Sequence, residues 1–132
     1  MSKVVLDASA FLAMANREPG ADVVVGLLKD SVMSAVNAAE VIQKLAQKGM
    51  SLESAEDYLR RFVGEVKSYT LSQATLTASL APRTLPLGLS LADRACLALA
   101  KHMNLPVLTA DQIWSKLDIG VTVEVIRHTQ NQ

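Results

Sequence analysis

Four acidic residues, Asp7, Glu40, Asp93 and Asp111, have the type and placement to do chemistry in this 132-residue chain. Carboxylates gathered in one place repel one another and raise each other's pKa, a cost that a divalent cation offsets best. Oxygen-only ligands select hard cations, Mg²⁺ or Mn²⁺, and Mg²⁺ typically takes one or two carboxylates while keeping waters and substrate phosphate. Hydrolysis of a phosphodiester fits such a site. A bound cation lowers the pKa of the attacking water, orients it, and stabilises charge developing on the phosphate. No side-chain nucleophile is then required. Zinc chemistry is poorly supplied, because His102 and His128 have no Cys or His partners at useful ligand spacing. No Gly-rich phosphate loop, Ser-His-Asp arrangement or C-x-x-C motif is present.

Each acid taken singly has an ordinary structural explanation. Asp93 completes Ser90-Leu91-Ala92-Asp93, a capping-box-like spacing, and an acid in a first helical turn also interacts favourably with the helix dipole. Asn37-Ala38-Ala39-Glu40 has similar spacing, and Glu40 can pair with Lys44 at i+4 for about 0.2–0.5 kcal/mol. Asp111 can cap the turn that runs to Lys116. The inference therefore rests on whether the chain brings all four to one place.

The elements that would do so are legible in the pattern. Val4-Val5-Leu6 reads as a buried strand ending at Asp7, followed by helix-compatible Ala8 to Ala15 and a break at Pro19-Gly20. Residues 21–29 suggest a second short helix and Val32-Met33-Ser34 the next strand. Asn37 opens a helix with Ala38, Val41, Ile42 and Leu45 on one face, closed by Gly49. Another starts at Ser51, with Leu52, Ala55, Leu59, Phe62, Val63 and Val66 on one side. Ser68 to Leu71 suits a strand, Gln73 to Leu80 a short helix, and Pro82 to Gly88 a loop. Leu91 to Met103 is the strongest helix; a strand at Val107 to Thr109, a turn at Asp111 to Lys116 and a strand at Val121 to Ile126 follow. His102 reads as a helix-end cap, and residues 128–132 as a frayed polar tail.

Short buried strands alternating with helices predict an α/β fold with a mainly parallel sheet covered on both faces. Ligands bind beyond the carboxyl ends of such strands, and Asp7 and Asp111 sit just there. The length fits one domain spanning 1–132, without repeat or linker. Lys and Arg total 13 and Asp and Glu 13, so any attraction for a polyanion must come from a local patch. The single cysteine, Cys96, lies among apolar residues and reads as a buried structural thiol. No signal peptide or bilayer-spanning run is visible, so the expected location is cytoplasmic, with no membrane partner.

Four segments carry a resemblance: Val5-Leu6-Asp7-Ala8-Ser9, Ser34 to Val41, Leu91-Ala92-Asp93 continuing to Ala100, and Leu108-Thr109-Ala110-Asp111-Gln112-Ile113-Trp114. Each is weak alone, but the ordered set, covering nearly the whole chain, closely resembles PIN-domain proteins and, within them, VapC-type toxins of type II toxin-antitoxin systems. The resemblance implies a PIN-like, Rossmann-like α/β/α fold and a Mg²⁺- or Mn²⁺-dependent endoribonuclease. Asp7, Glu40, Asp93 and Asp111 correspond to the family's acidic quartet. Ser9, Asn37 and Thr109 match neighbouring polar positions that orient carboxylates or water, although N-capping explains Ser9 and Asn37 as well.

The resemblance further implies a homodimer neutralised by a small antitoxin protein, a segment of which packs near the first helices and reaches the acidic pocket. Val23 to Leu28 would line that groove or belong to the core. For an RNA substrate, Arg17, Lys44 and Arg94, with Lys48, Arg60, Arg61 and Arg83, are candidate phosphate contacts, while most would equally serve a solvated helix face. Aromatic residues total only 4%, leaving little for base stacking, and Trp114 reads as packing. Two rival readings remain open. A noncatalytic PIN-like module would bind RNA or protein with the same fold. A phosphatase or phospho-acceptor receiver would use Asp7 covalently, but D-x-D after the first strand is absent.

Overall fold

The computed structural model describes residues 3–127, so the expected tail at 128–132 lies outside the described residues. Five strands form one parallel sheet in the order β3-β2-β1-β4-β5. They are β1 (Val4–Leu6), β2 (Ser31–Ser34), β3 (Glu65–Lys67), β4 (Val107–Thr109) and β5 (Val123–Val125). The chain steps outward from β1 to β2 and β3, then returns to place β4 on the other side of β1. That reversal opens a crevice between the carboxyl ends of β1 and β4.

Strand alternation separates two apolar layers. Val4, Leu6, Met33 and Leu108 face α1 (Ala8–Ala15), α2 (Ala21–Leu27), α3 (Ala35–Gln47) and α4 (Leu52–Phe62). Val5, Val32 and Val107 face the opposite layer, dominated by α7 (Leu91–Met103) with Cys96, Leu97, Leu99 and Trp114. The three central strands, β1, β2 and β4, are buried on both faces, which is why they read as continuous apolar runs rather than alternating ones. This is the expected α/β/α arrangement. Among the described residues, no helix is long and apolar enough to cross a membrane.

Several local expectations change. The third strand is Glu65–Lys67, not 68–71. It is a largely exposed edge strand and lacks an apolar signature, whereas the hydroxyl of β-branched Thr70 caps α5 (Leu71–Ser79) by accepting the Gln73 N–H at 3.2 Å. Gly64 lets this edge approach, since a Cβ there would stand 2.6 Å from the Ser31 carbonyl oxygen. The expected loop at 82–88 is helical: α6 (Ala81–Thr84) and a 3₁₀ turn (Leu85–Leu87) each carry proline in the first turn, where a missing N–H costs nothing.

Helix α3 begins at Ala35 with Ser34 as its cap, so Asn37 lies inside it. Leu52 and Val66 are exposed rather than packed, and of the run Val23 to Leu28 only Val24 is buried. Asn104, in the left-handed region, closes α7 in place of His102.

Candidate functional site

Asp7 leaves β1 and caps α1, its Oδ1 accepting the Ala10 N–H at 2.9 Å and the Ser9 hydroxyl at 2.7 Å. Its Oδ2 accepts the Thr109 hydroxyl at 2.8 Å. Thr109 Oγ1 in turn accepts the Asp111 N–H at 3.0 Å, and Ser9 Oγ accepts the Ala110 N–H, also at 3.0 Å. Ser9 and Thr109 thus tie the end of β1 to the end of β4 across the crevice. Ser9 is not the cap of α1; it holds the residue that is.

Asp111 caps the 3₁₀ turn Gln112–Lys116 through the Ile113 N–H at 3.1 Å. Asp93 completes the capping box with Ser90, the two reciprocal bonds measuring 2.9 and 3.1 Å. Asn37 Nδ2 donates to Glu40 Oε1 at 3.3 Å and to the Ala92 carbonyl at 3.1 Å, joining α3 to the first turn of α7. Its Oδ1 is buried without a partner. Among the described residues no ion pair joins Glu40 to Lys44.

All four acids line a single cavity of about 340 Å³, together with Ser9, Asn16, Glu18, Lys44 and Arg127. The structural explanations of Asp93 and Asp111 hold, Asp7 proves to be a cap as well, and all four acids converge. One set of hydrogen bonds does both jobs, because a cap pins a carboxylate at a helix start and these starts meet at the sheet edge. A larger hollow of about 500 Å³ between α3, α4 and β3 offers less chemistry, since its Glu56 and Arg60 pair with each other at 2.7 Å.

Asp7 is buried, and desolvation raises its pKa from 3.8 to about 6; hydrogen bonds from Ser9, Ala10 and Thr109 pull the other way, and the charge of Asp93 adds to the rise. Burial also pushes the Cys96 thiol up, with the carboxylates of Asp7, Asp93 and Glu40 adding to it. Cys96 is therefore a protonated packing group and no nucleophile. Among the described residues, no three His, Cys, Asp or Glu side chains already stand at ligand spacing. The donor set still suits a hard cation: it is all oxygen, partly dehydrated and mutually repulsive.

Glu18, Asn16 and Arg127 were not anticipated. Arg127 Nη1 donates to Glu18 Oε1 at 2.8 Å and to the Pro19 carbonyl at 3.2 Å, clasping the turn after α1 to the chain beyond β5. The rule that sites form beyond strand ends, applied to β5 as it was to β1 and β4, would have nominated Arg127. Of the basic candidates, Lys44 lines the cavity, Arg17 follows the cavity-lining Asn16, and Arg94 does not line it and keeps its Nε buried without a partner.

The family model described as the PIN domain matches residues 4–120. A search among curated proteins returns no match. Among solved structures, a chain of DNA-bound VapBC from Salmonella typhimurium superposes with a TM-score of 0.72 at 19% identity, over 96% of this chain and 100% of that one. A chain of FitAcB from Neisseria gonorrhoeae gives 0.66 at 22% identity, over 96% and 99%. A chain of VapBC-5 from Mycobacterium tuberculosis, a member of the VapBC family of toxin-antitoxin systems, gives 0.62 at 21%, over 97% and 100%.

Proposed function

This chain belongs to the PIN-domain family, and from that premise we propose that it is a Mg²⁺- or Mn²⁺-dependent endoribonuclease acting as the toxin of a VapBC-type pair. The observation that carries the reading is the convergence of Asp7, Glu40, Asp93 and Asp111 on one cavity at the topological switch of the sheet. Asp7, Asp93 and Asp111 are the main cation-holding carboxylates, and Glu40 completes the set. When bound, the cation supplies a water of lowered pKa and neutralises charge on the phosphate.

The remaining work belongs to the protein. Ser9, Thr109 and the Ala10 N–H hold both Asp7 oxygens in one orientation and favour its ionised form. The caps at Asp93 and Asp111 each occupy one carboxylate oxygen with a backbone N–H. The other oxygen is left for the cavity. Asn37 fixes Glu40 against α7, which also carries Asp93.

Purified protein is expected to cleave RNA with Mg²⁺ or Mn²⁺ and to stop in EDTA; cleavage that persists in EDTA would sink the mechanism. Asn37→Ala is expected to lose about 10–100-fold in activity, typical of removing a hydrogen bond that supports a ligand. A Mg²⁺ titration of cleavage reads the effect. An unshifted Mg²⁺ midpoint with unchanged rate would leave Asn37 with a structural role alone.

The partners follow from the same reading: an RNA substrate, a second copy of the chain, and a small antitoxin, the last supported by the likeness to VapBC-5, a member of a family of toxin-antitoxin systems. Val23 and Val25, exposed on α2, are apolar positions available to an antitoxin segment near the first helices.

A further inference from the structure

We infer that a basic rim on the α1 and α3 flank of the acidic cavity binds the phosphate backbone of single-stranded RNA and sets the path by which the strand reaches the carboxylates. This rests on the nuclease reading and adds the substrate's route. A cavity lined by five carboxylates repels a polyanion, so the strand must be held by cations beside it.

Lys44 lines the cavity from α3, exposed and outside every ion pair among the described residues. One helical turn further, Lys48 donates its Nζ to Asn16 Oδ1 at 2.6 Å, joining α3 to the end of α1. Arg17 comes next, exposed and with φ at 55°, a conformation that a non-glycine residue adopts rarely and that often marks ligand sites. Arg127 also lines the cavity, but its charge is paired with Glu18 at 2.8 Å, so the rim is Arg17, Lys44 and Lys48.

Three other cations are engaged elsewhere: Arg60 with Glu56, Arg83 with the Asp118 carbonyl, and Lys101 with the Ile119 carbonyl. The strip from Arg17 to Lys44 and Lys48 carries charge and amide but no large exposed apolar anchor. That chemistry suits a sugar-phosphate chain better than a protein segment, which needs an apolar centre.

The test is binding of fluorescein-labelled single-stranded RNA, followed by anisotropy across a salt series. The full chain carries Asp7→Asn so that the probe survives, with Mg²⁺ present. Arg17→Gln, Lys44→Gln and Lys48→Gln are each expected to flatten the log Kd against log salt slope by about 0.7, and the triple variant by about 2. The loss should be equal for A-rich and U-rich probes, and the thermal midpoint unchanged. Lys29→Gln and Arg60→Gln should leave the slope as it was. The inference is overturned if the triple variant binds RNA like its parent, if the two controls lose as much, or if the rim variants keep RNA and lose only the antitoxin. Cleavage is read separately on the chain with Asp7 intact. RNA cutting without a rim effect removes the rim alone, and a rim effect without cutting removes the nuclease reading alone.

Discussion

Asp7→Asn is expected to abolish RNA cleavage, with a loss well beyond the roughly 10–100-fold that follows removal of a supporting hydrogen bond at a metal site. The substitution removes one negative charge and little else. Asparagine is as good an N-cap as aspartate, so α1 keeps its start through the Ala10 N–H. Its Oδ1 still accepts from Ser9, and its amide can donate to Thr109 Oγ1, which lies 2.8 Å from the present Oδ2. What is lost is the anionic ligand at the point where β1, β4 and α1 meet. Cleavage of labelled RNA over a Mg²⁺ series, beside circular dichroism, separates activity from fold. A variant that cleaves within about tenfold of the parent would show that Asp7 supports rather than supplies the site. Parallel substitution of Asp111 tests the other side of the crevice, where the carboxylate is exposed and held through one oxygen by the Ile113 N–H.

Much of the fold was legible because the elements that matter most here are short, apolar and closed by recognisable caps. β1, β4 and α7 were read at their observed bounds. Each misread element has its own physical cause. Glu65–Lys67 is an edge strand held by backbone pairing to β2, and pairing leaves no trace in side-chain pattern when both faces stay wet. Residues 82–88 carry two prolines that look like breakers but sit in first turns, where proline is tolerated. Neither error moves the site, because the four acids hang on β1, α3, α7 and β4.

The acids themselves were legible only as a set. Asp93 and Asp111 are caps in the structure just as their spacing suggested, so the spacing alone could not separate structure from chemistry. Only the strand order, which sets β1 beside β4, brings Asp7 and Asp111 to one crevice. Glu18 and Arg127 could not be paired from sequence. They are 109 positions apart, and a turn after α1 gives no hint that it meets the end of the last strand. For the basic residues, the sequence supplied candidates without geometry. The structure sorts them by which ones border the cavity and which are engaged elsewhere.

In metal-free protein the same Asp7→Asn variant is expected to be more stable than its parent at neutral pH, by up to about 3 kcal/mol. Burial raises the carboxyl pKa from 3.8 to about 6 in the folded state, while the unfolded chain keeps the ordinary value. Above about pH 6 both states are ionised, and the folded state bears the full cost of a dehydrated carboxylate. As the pH falls from about 6 towards 4, the folded state takes up a proton that the unfolded state does not, and the cost fades. Below that range both states are protonated and the contribution is gone. The parent should therefore gain stability on acidification through this window relative to the variant, the other carboxylates being common to both. Urea unfolding in EDTA at a series of pH values measures the difference. Equal stability at pH 7 would mean that Ser9, Thr109 and the Ala10 N–H already offset the burial. Adding Mg²⁺ should close the gap by stabilising the parent alone, because a cation replaces the hydration that the carboxylate gave up. Folding then stores at Asp7 a cost that cation binding relieves, which couples the stability of the crevice to its proposed chemistry.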